Sequence, residues 1–208
     1  MTQIEAITKL LGLGQPLFET KDIAALLGVR NSNASKIASR LREAGLLISI
    51  RRGRWALRGR VTPLAVPEHL TAPYPSYVSL QSGLFYHGMI LQIPAITYAV
   101  SLARTRCYDT PIGGFSIHHV QPEFFFGFQL DASGLAKIAT PEKALVDIFY
   151  FAPAKTRLFT ALPELELARG FSWKKAFAIA AKIKGQARRT FVHRALTSLH
   201  NVSGRSRH

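Results

Sequence analysis

Four prolines fall within the fifteen residues VTPLAVPEHLTAPYP, 61–75. A proline ring fixes φ and removes a backbone N–H, so no long helix or central strand can run through Pro63, Pro67, Pro73 and Pro75. The chain must organise itself on either side of them. The segment lacks helical periodicity and predicts an extended linker, apolar enough to pack along a surface. With 208 residues, 48% of them hydrophobic, the chain can build a core on each side. The expected units are 1–60, a linker 61–75, a larger unit 76–200 and a flexible tail 201–208.

Charge is distributed unevenly along the same chain. Residues 1–60 carry 11 basic and 4 acidic side chains, residues 61–168 carry 6 and 8, and residues 169–208 carry 10 and none. Two basic ends thus flank a near-neutral middle, for a formal net charge of +15. Such an excess favours a polyanionic partner, nucleic acid before an anionic membrane surface, and says nothing of fold. The single cysteine, Cys107, excludes an intramolecular disulfide framework or a cysteine-rich zinc site, and fits a reducing compartment. The start, MTQIEAITKLLGLG, is unlike a secretory signal, and no window approaches 18 uninterrupted apolar residues. The expectation is a cytoplasmic protein.

In the first sixty residues, Ile4, Ile7, Leu10 and Leu11 predict a helix over about 2–11. Thr20 is placed to cap a short second helix, with Asp22 complementing its dipole and Gly28 supplying a left-handed exit. Ala34, Ile37, Ala38 and Leu41 repeat at i, i+3, i+4 and i+7 in a third helix, with Asn31, Ser32 or Asn33 as its cap and Gly45 at its end. LLISI, RRGR and WAL then read as a hairpin bent around Gly53. That order is the order of a winged helix-turn-helix. Its third helix fits the major groove, where Arg30, Asn31, Ser32, Asn33, Ser35, Lys36 and Arg40 would meet base edges or phosphates. Arg51, Arg52 and Arg54 at the wing tip would lie along phosphates or a minor groove.

Beyond Pro75 the pattern is mixed α/β, making the whole chain α+β. SLQSGLFYHG predicts a helix capped by Ser79 and ended by Gly88, while AITYAVS, FSIHHVQ, FFFGFQL and LAKIA predict strands of a central sheet. TPEKALVDIFYFA predicts a helix with Thr140 as N-cap, Pro141 at its first position and Glu142 on its positive end. Leu145, Ile148 and Phe149 would face the sheet.

The stretches YPSYVSLQSGLFYHGMI, ITYAVSLARTRCYDTPIGGFSIHHVQPEFFFGF and IATPEKALVDIFYF resemble the AbiEi-type antitoxin family of type IV toxin–antitoxin systems. The likeness covers roughly residues 1–168. It implies a bacterial viral-defence regulator whose N-terminal winged helix binds double-stranded DNA at its own operator and represses its own operon. Its C-terminal part would counteract a nucleotidyltransferase-like toxin. The resemblance assigns no antitoxin residue, and an orphan regulator without a toxin is the alternative within the same class.

No stretch carries a recognisable catalytic spacing, and the expectation is a non-enzymatic protein without cofactor or metal. His118 and His119 alternate along a strand and cannot chelate one metal together. Glu142 and Asp147 are five apart, off the spacing that sets two carboxylates side by side on a helix. Asp147 is expected to pair with Arg104 or Arg106. A winged-helix-targeted, metal-dependent nuclease, the rival class, would recruit Asp109, Glu123 and Lys137. No glycine-rich phosphate loop occurs, and IGG at 112–114 reads as a turn.

The basic end predicts two helices. SWKKAFAIAAKIKG begins at Ser172 with Trp173, Phe177, Ala180 and Ala181 on one face; QARRTFVHRALTSLH presents Phe191, Ala195, Leu196 and Leu199. Lys174, Lys175, Lys182, Lys184, Arg188, Arg189 and Arg194 lie mostly off those faces. They are available to nucleic-acid phosphates, to an acidic face of a partner protein, or to solvent alone.

Overall fold

In the computed structural model, which describes residues 2–152 and 165–205, the chain starts with a capping box. Thr2 Oγ1 accepts from Glu5 N–H while the Glu5 carboxylate accepts from Thr2 N–H, opening helix α1, Gln3–Gly12. Strand β1, Leu17–Glu19, leads directly into α2, Thr20–Leu27, and α3 spans Asn31–Glu43. Strands β2, Leu47–Arg51, and β3, Arg54–Leu57, complete an antiparallel sheet of order β1-β3-β2. Leu10, Ile23, Ala34, Ala38 and Leu41 bury the helices against one sheet face, which supplies Phe18, Leu47 and Trp55.

Two local readings change here. The N-cap of α2 is Glu19, and Thr20 is the first helical residue. Asp22 reaches back to Glu19 N–H at 2.8 Å, fulfilling its helix-start role through a hydrogen bond as well as charge. Likewise Arg30, in extended conformation and without a side-chain cap, precedes α3, so Asn31, Ser32 and Asn33 are its first turn.

The proline segment is not extended. A 3₁₀ turn, Pro63–Ala65, runs into helix α4, Val66–Thr71. Pro63 and Pro67 occupy first-turn positions, where an N–H has no intrahelical partner to lose, so both helices tolerate them. Val66 and Leu70 are buried against Ile48 and Ile50, which alternate on the sheet face opposite Leu47, and the cluster extends to Phe115 of the second sheet. The segment is an apolar wedge between the two sheets.

The second sheet has six strands in the order β6-β7-β5-β4-β9-β8 and mixes parallel with antiparallel pairs. Strands β4 (Ser76–Val78), β5 (Thr97–Ser101), β7 (Gly113–His119) and β9 (Lys137–Ala139) are its interior; β6 (Arg106–Thr110) and β8 (Phe128–Leu130) are its edges. FFFGFQL is therefore strand only from Phe128, since Pro122–Phe124 forms a 3₁₀ turn. Helix α5, Leu80–Tyr86, follows Ser79, and α6, Pro141–Phe151, starts with Thr140 Oγ1 accepting from Lys143 N–H. Every residue of α6 from Glu142 to Ile148 is buried, because α5, α7 (Trp173–Ala181) and α8 (Gln186–Arg205) all pack on it. Helix α8 continues to Arg205, through most of the expected tail; residues 206–208 lie outside the described residues, as do 162–164 of the stretch preceding Ser172. No helix among the described residues is long and apolar enough to cross a membrane.

Candidate nucleic-acid interface

Helix α3 divides cleanly into two sides. Ala34, Ala38 and Leu41 are fully buried, while Arg30, Asn31, Ser32, Asn33, Ser35, Lys36 and Arg40 are all exposed. No side chain of this exposed set has a hydrogen-bond partner among the described residues. No acidic residue lies in the first turn of α3, so its unsatisfied N–H groups and positive dipole end stay uncompensated. That combination suits a phosphate at the helix start. The nearest acid along the helix, Glu43, sits at the far end, 3.9 Å from Arg42.

The hairpin tip is tighter and less free than its composition suggests. Arg51 and Arg54 pair across the two-residue turn Arg52-Gly53, where Gly53 takes a φ of 74°, a conformation that favours glycine. The Gly53 carbonyl accepts from Thr20 N–H at 2.9 Å and from Thr20 Oγ1 at 3.3 Å, and Trp55 Nε1 donates to the same hydroxyl at 3.0 Å. Thr20 therefore clamps the tip to the start of α2. Arg54 donates to Glu19 at 2.7 Å, and Lys21 reaches the other Glu19 oxygen at 2.9 Å. The Lys21 hydrogen bond, with Arg54 beside it, holds the Glu19 carboxyl below the usual range. Arg51 Nη1 donates to the Leu70 carbonyl at 3.0 Å. Of the three arginines, Arg52 alone has no partner among the described residues. Arg58 and Arg60, exposed in the turn after β3, extend the basic surface. The sequence reading passed over them, although ALRGR displays them beside the hairpin.

Helices α7 and α8 form an antiparallel hairpin in which Trp173 packs on His200 (4.7 Å between ring centres) and Phe177 on His193 (5.0 Å). Ser172 caps α7 as expected, but the buried residues of α8 are Val192 and Leu196, and Phe191 is 44% exposed. Four of the seven cations expected here have internal partners. Lys182 lies over Phe126 and Arg188 over Tyr150, each 4.6 Å from the ring centre. Lys184 pairs with Glu123 at 2.6 Å, and Arg189 donates to the Ile183 carbonyl and to Gln186. Lys174, Lys175 and Arg194 are exposed and have no partner among the described residues.

The middle unit buries a polar network that sequence reasoning missed. Asp147 pairs with neither Arg104 nor Arg106. Its carboxylate accepts from Lys143 Nζ at 2.5 Å, Ser79 Oγ at 2.7 Å and Tyr77 Oη at 3.0 Å. The Lys143 ammonium also lies 3.7 Å from the centre of the Phe124 ring. Burial pulls the Lys143 ammonium below its usual range while Asp147 pushes it back, and burial raises the Tyr77 phenol. The available signal was the Lys143–Asp147 spacing of i, i+4 inside TPEKALVD. Glu142 is buried and accepts from Ser172 N–H, tying α6 to the start of α7.

The residues a nuclease reading would recruit lie apart. Asp109 is on edge strand β6, Lys137 on β9 bonded to Glu68, and Glu123 on the 3₁₀ turn bonded to Lys184. No group of three or more histidine, cysteine or acidic residues among the described residues could hold a metal ion. His118 and His119 do face opposite ways: His118 is buried, 3.0 Å from Ser116 Oγ, and His119 is exposed. Burial lowers the His118 pKa, so the unfolded chain binds this proton more tightly than the folded one. The neutral ring contributes fully above its ordinary value, and that contribution is lost as pH falls towards the lowered folded value. The unfolding free energy from urea titrations should fall as pH drops below about 6.5, by up to about 1.4 kcal/mol per pH unit for this proton. His118→Asn should flatten that slope; a slope unchanged in the variant would assign the acid sensitivity to another group.

No protein-family model and no curated protein matches this chain.

Proposed function

We propose that residues 1–60 form a winged helix-turn-helix that reads double-stranded DNA, and that the protein is a transcriptional regulator binding its own operator. The observation that carries this reading is the division of α3. Its inner side is closed by small apolar residues, and its outer side offers Arg30, Lys36 and Arg40 among asparagine and serine, with no acid from Val29 to Arg42. Guanidinium, ammonium and amide groups on one exposed helix face are what base edges and phosphates require. The free N–H groups at the start of α3 support it further, as do Arg52, Arg58 and Arg60 beside it in the chain.

The resemblance of residues 1–168 to AbiEi-type antitoxins supports the second half of the proposal. In this reading the regulator is an autorepressor in a bacterial phage-defence pair, and residues beyond Pro75 counteract a nucleotidyltransferase-like toxin. The function is assigned no catalytic step and no cofactor. The deciding experiment titrates the full chain against its own upstream DNA and a scrambled duplex of equal length, at low and physiological salt. Preference for its own sequence at the higher salt is the expected result. Equal binding that vanishes with salt would leave only the +15 charge and overturn operator reading. Co-expression with the adjacent gene product tests the antitoxin half separately, through rescue of growth.

A further inference from the structure

We propose that the outer surface of the α7–α8 hairpin is a second contact for double-stranded DNA, one that grips phosphates without reading bases. It rests on the reading of α3 above for the identity of the polyanion, and on its own geometry for the contact. Thr190, Arg194, Ser198 and Asn201 stand at i, i+4, i+8 and i+11 along α8, all exposed and without hydrogen-bond partners among the described residues. At 1.5 Å per residue this row runs about 16 Å, close to five base-pair steps of a duplex. Each member can donate a hydrogen bond, and none carries negative charge.

A groove of about 740 Å³ follows the row, with Ala181 of α7 on its other side. Ala181 lines the groove, and Lys174 and Ala178 are exposed on the same stripe of α7, seven and three residues before it, so this helix adds low methyl groups and one ammonium beside the groove. The small side chains leave room for a sugar-phosphate strand to come close. The whole sequence from residue 169 to 208 contains no acid to oppose it.

The chemistry of the row selects the partner. Hydroxyl, amide and guanidinium groups together are the usual phosphate contacts of DNA-binding proteins. An acidic protein face would be met by a cluster of cations set for ion pairs, yet the row holds one cation, Arg194, among three neutral donors. An anionic lipid surface would require a continuous apolar stripe on the free side of the hairpin. On α8 the exposed large apolar side chains, Phe191 and Val202, stand eleven residues apart with none between them, and the row of donors runs beside them.

The test compares the full chain with the double variant Lys174→Ala/Arg194→Ala on long duplexes of own and scrambled sequence across a salt series. Both side chains are exposed and have no partner among the described residues, so thermal melting should be unchanged. The variant is expected to bind both duplexes roughly 10- to 30-fold more weakly at physiological salt, with a log–log salt slope shallower by nearly two. The ratio between own and scrambled DNA should stay that of the parent. An unchanged slope and affinity would overturn the proposal. So would a variant whose only loss is towards duplex RNA, or towards vesicles containing phosphatidylserine. Arg40→Ala run alongside separates the two readings. If the parent shows no sequence preference, operator reading by α3 fails, while the slope difference still decides the hairpin.

Discussion

Asp147→Ala is expected to cost about 3–5 kcal/mol of stability, and to leave much of the chain unfolded at 37 °C. The substitution strands the Lys143 ammonium, which is completely buried, and removes the acceptor of the Tyr77 and Ser79 hydroxyls in the same step. These partners lie on or beside β4, α5 and α6, so the carboxylate ties together the elements around which the second unit is built. With Asp147 gone, only burial acts on Lys143, which is then driven further towards the neutral amine. Its folded pKa would lie below the unfolded value, so stability of the variant should rise with pH up to the ordinary lysine range. Chemical denaturation at two pH values reads both effects. The double variant Lys143→Met/Asp147→Leu should recover most of the loss, because no buried charge remains and the aromatic surround of Lys143 accepts a methionine. A single variant as stable as the parent would show that the pair does not hold these elements together.

That network also marks the limit of what the sequence made legible. The start of α6 was plain, since Thr140-Pro141 carries its own cap and first-turn signal within a few residues. The Lys143–Asp147 pair is equally local, a cation and an acid at a spacing of four beside the two carboxylates, Glu142 and Asp147, at a spacing of five. Strands β1 and β4 escaped for another reason. Each is three residues long and exists because a distant partner lies opposite, as β3 does for Leu17–Glu19. Strand β6, RCYDT, shows no apolar alternation because it is an exposed edge. Thr20 has the residue type of a cap but does not act as one, because its hydroxyl is engaged by Gly53 and Trp55, more than thirty residues away. Tertiary bonds of this kind leave no trace in local spacing. The exposed face of α3, by contrast, follows directly from the period of Ala34, Ala38 and Leu41.

The same distinction governs the second large effect. Lys36→Ala/Arg40→Ala is expected to weaken binding to the protein's own upstream DNA by about 2–5 kcal/mol, roughly 30-fold to several-thousand-fold, and to reduce its preference over scrambled duplex. Both side chains are exposed on α3 and have no partner among the described residues, so folding should be untouched. The three arginines of the hairpin should not behave alike. Arg52→Ala should shift affinity uniformly across sequences and make the log–log salt slope shallower by about 0.9, as the loss of one phosphate contact would. Arg54→Ala should leave that slope nearly unchanged and cost about 1 kcal/mol of stability, because its guanidinium is bonded to Glu19 and mostly buried. Arg51→Ala should loosen the wedge at Leu70 as well as the tip. A triple alanine variant would merge these outcomes and could mistake a destabilised hairpin for a lost contact. Single variants, measured by both salt titration and urea denaturation, keep them apart. If Arg54→Ala lowered the salt slope as much as Arg52→Ala, the Glu19 pair would have to open on DNA, and Arg54 would join Arg52 on the phosphates.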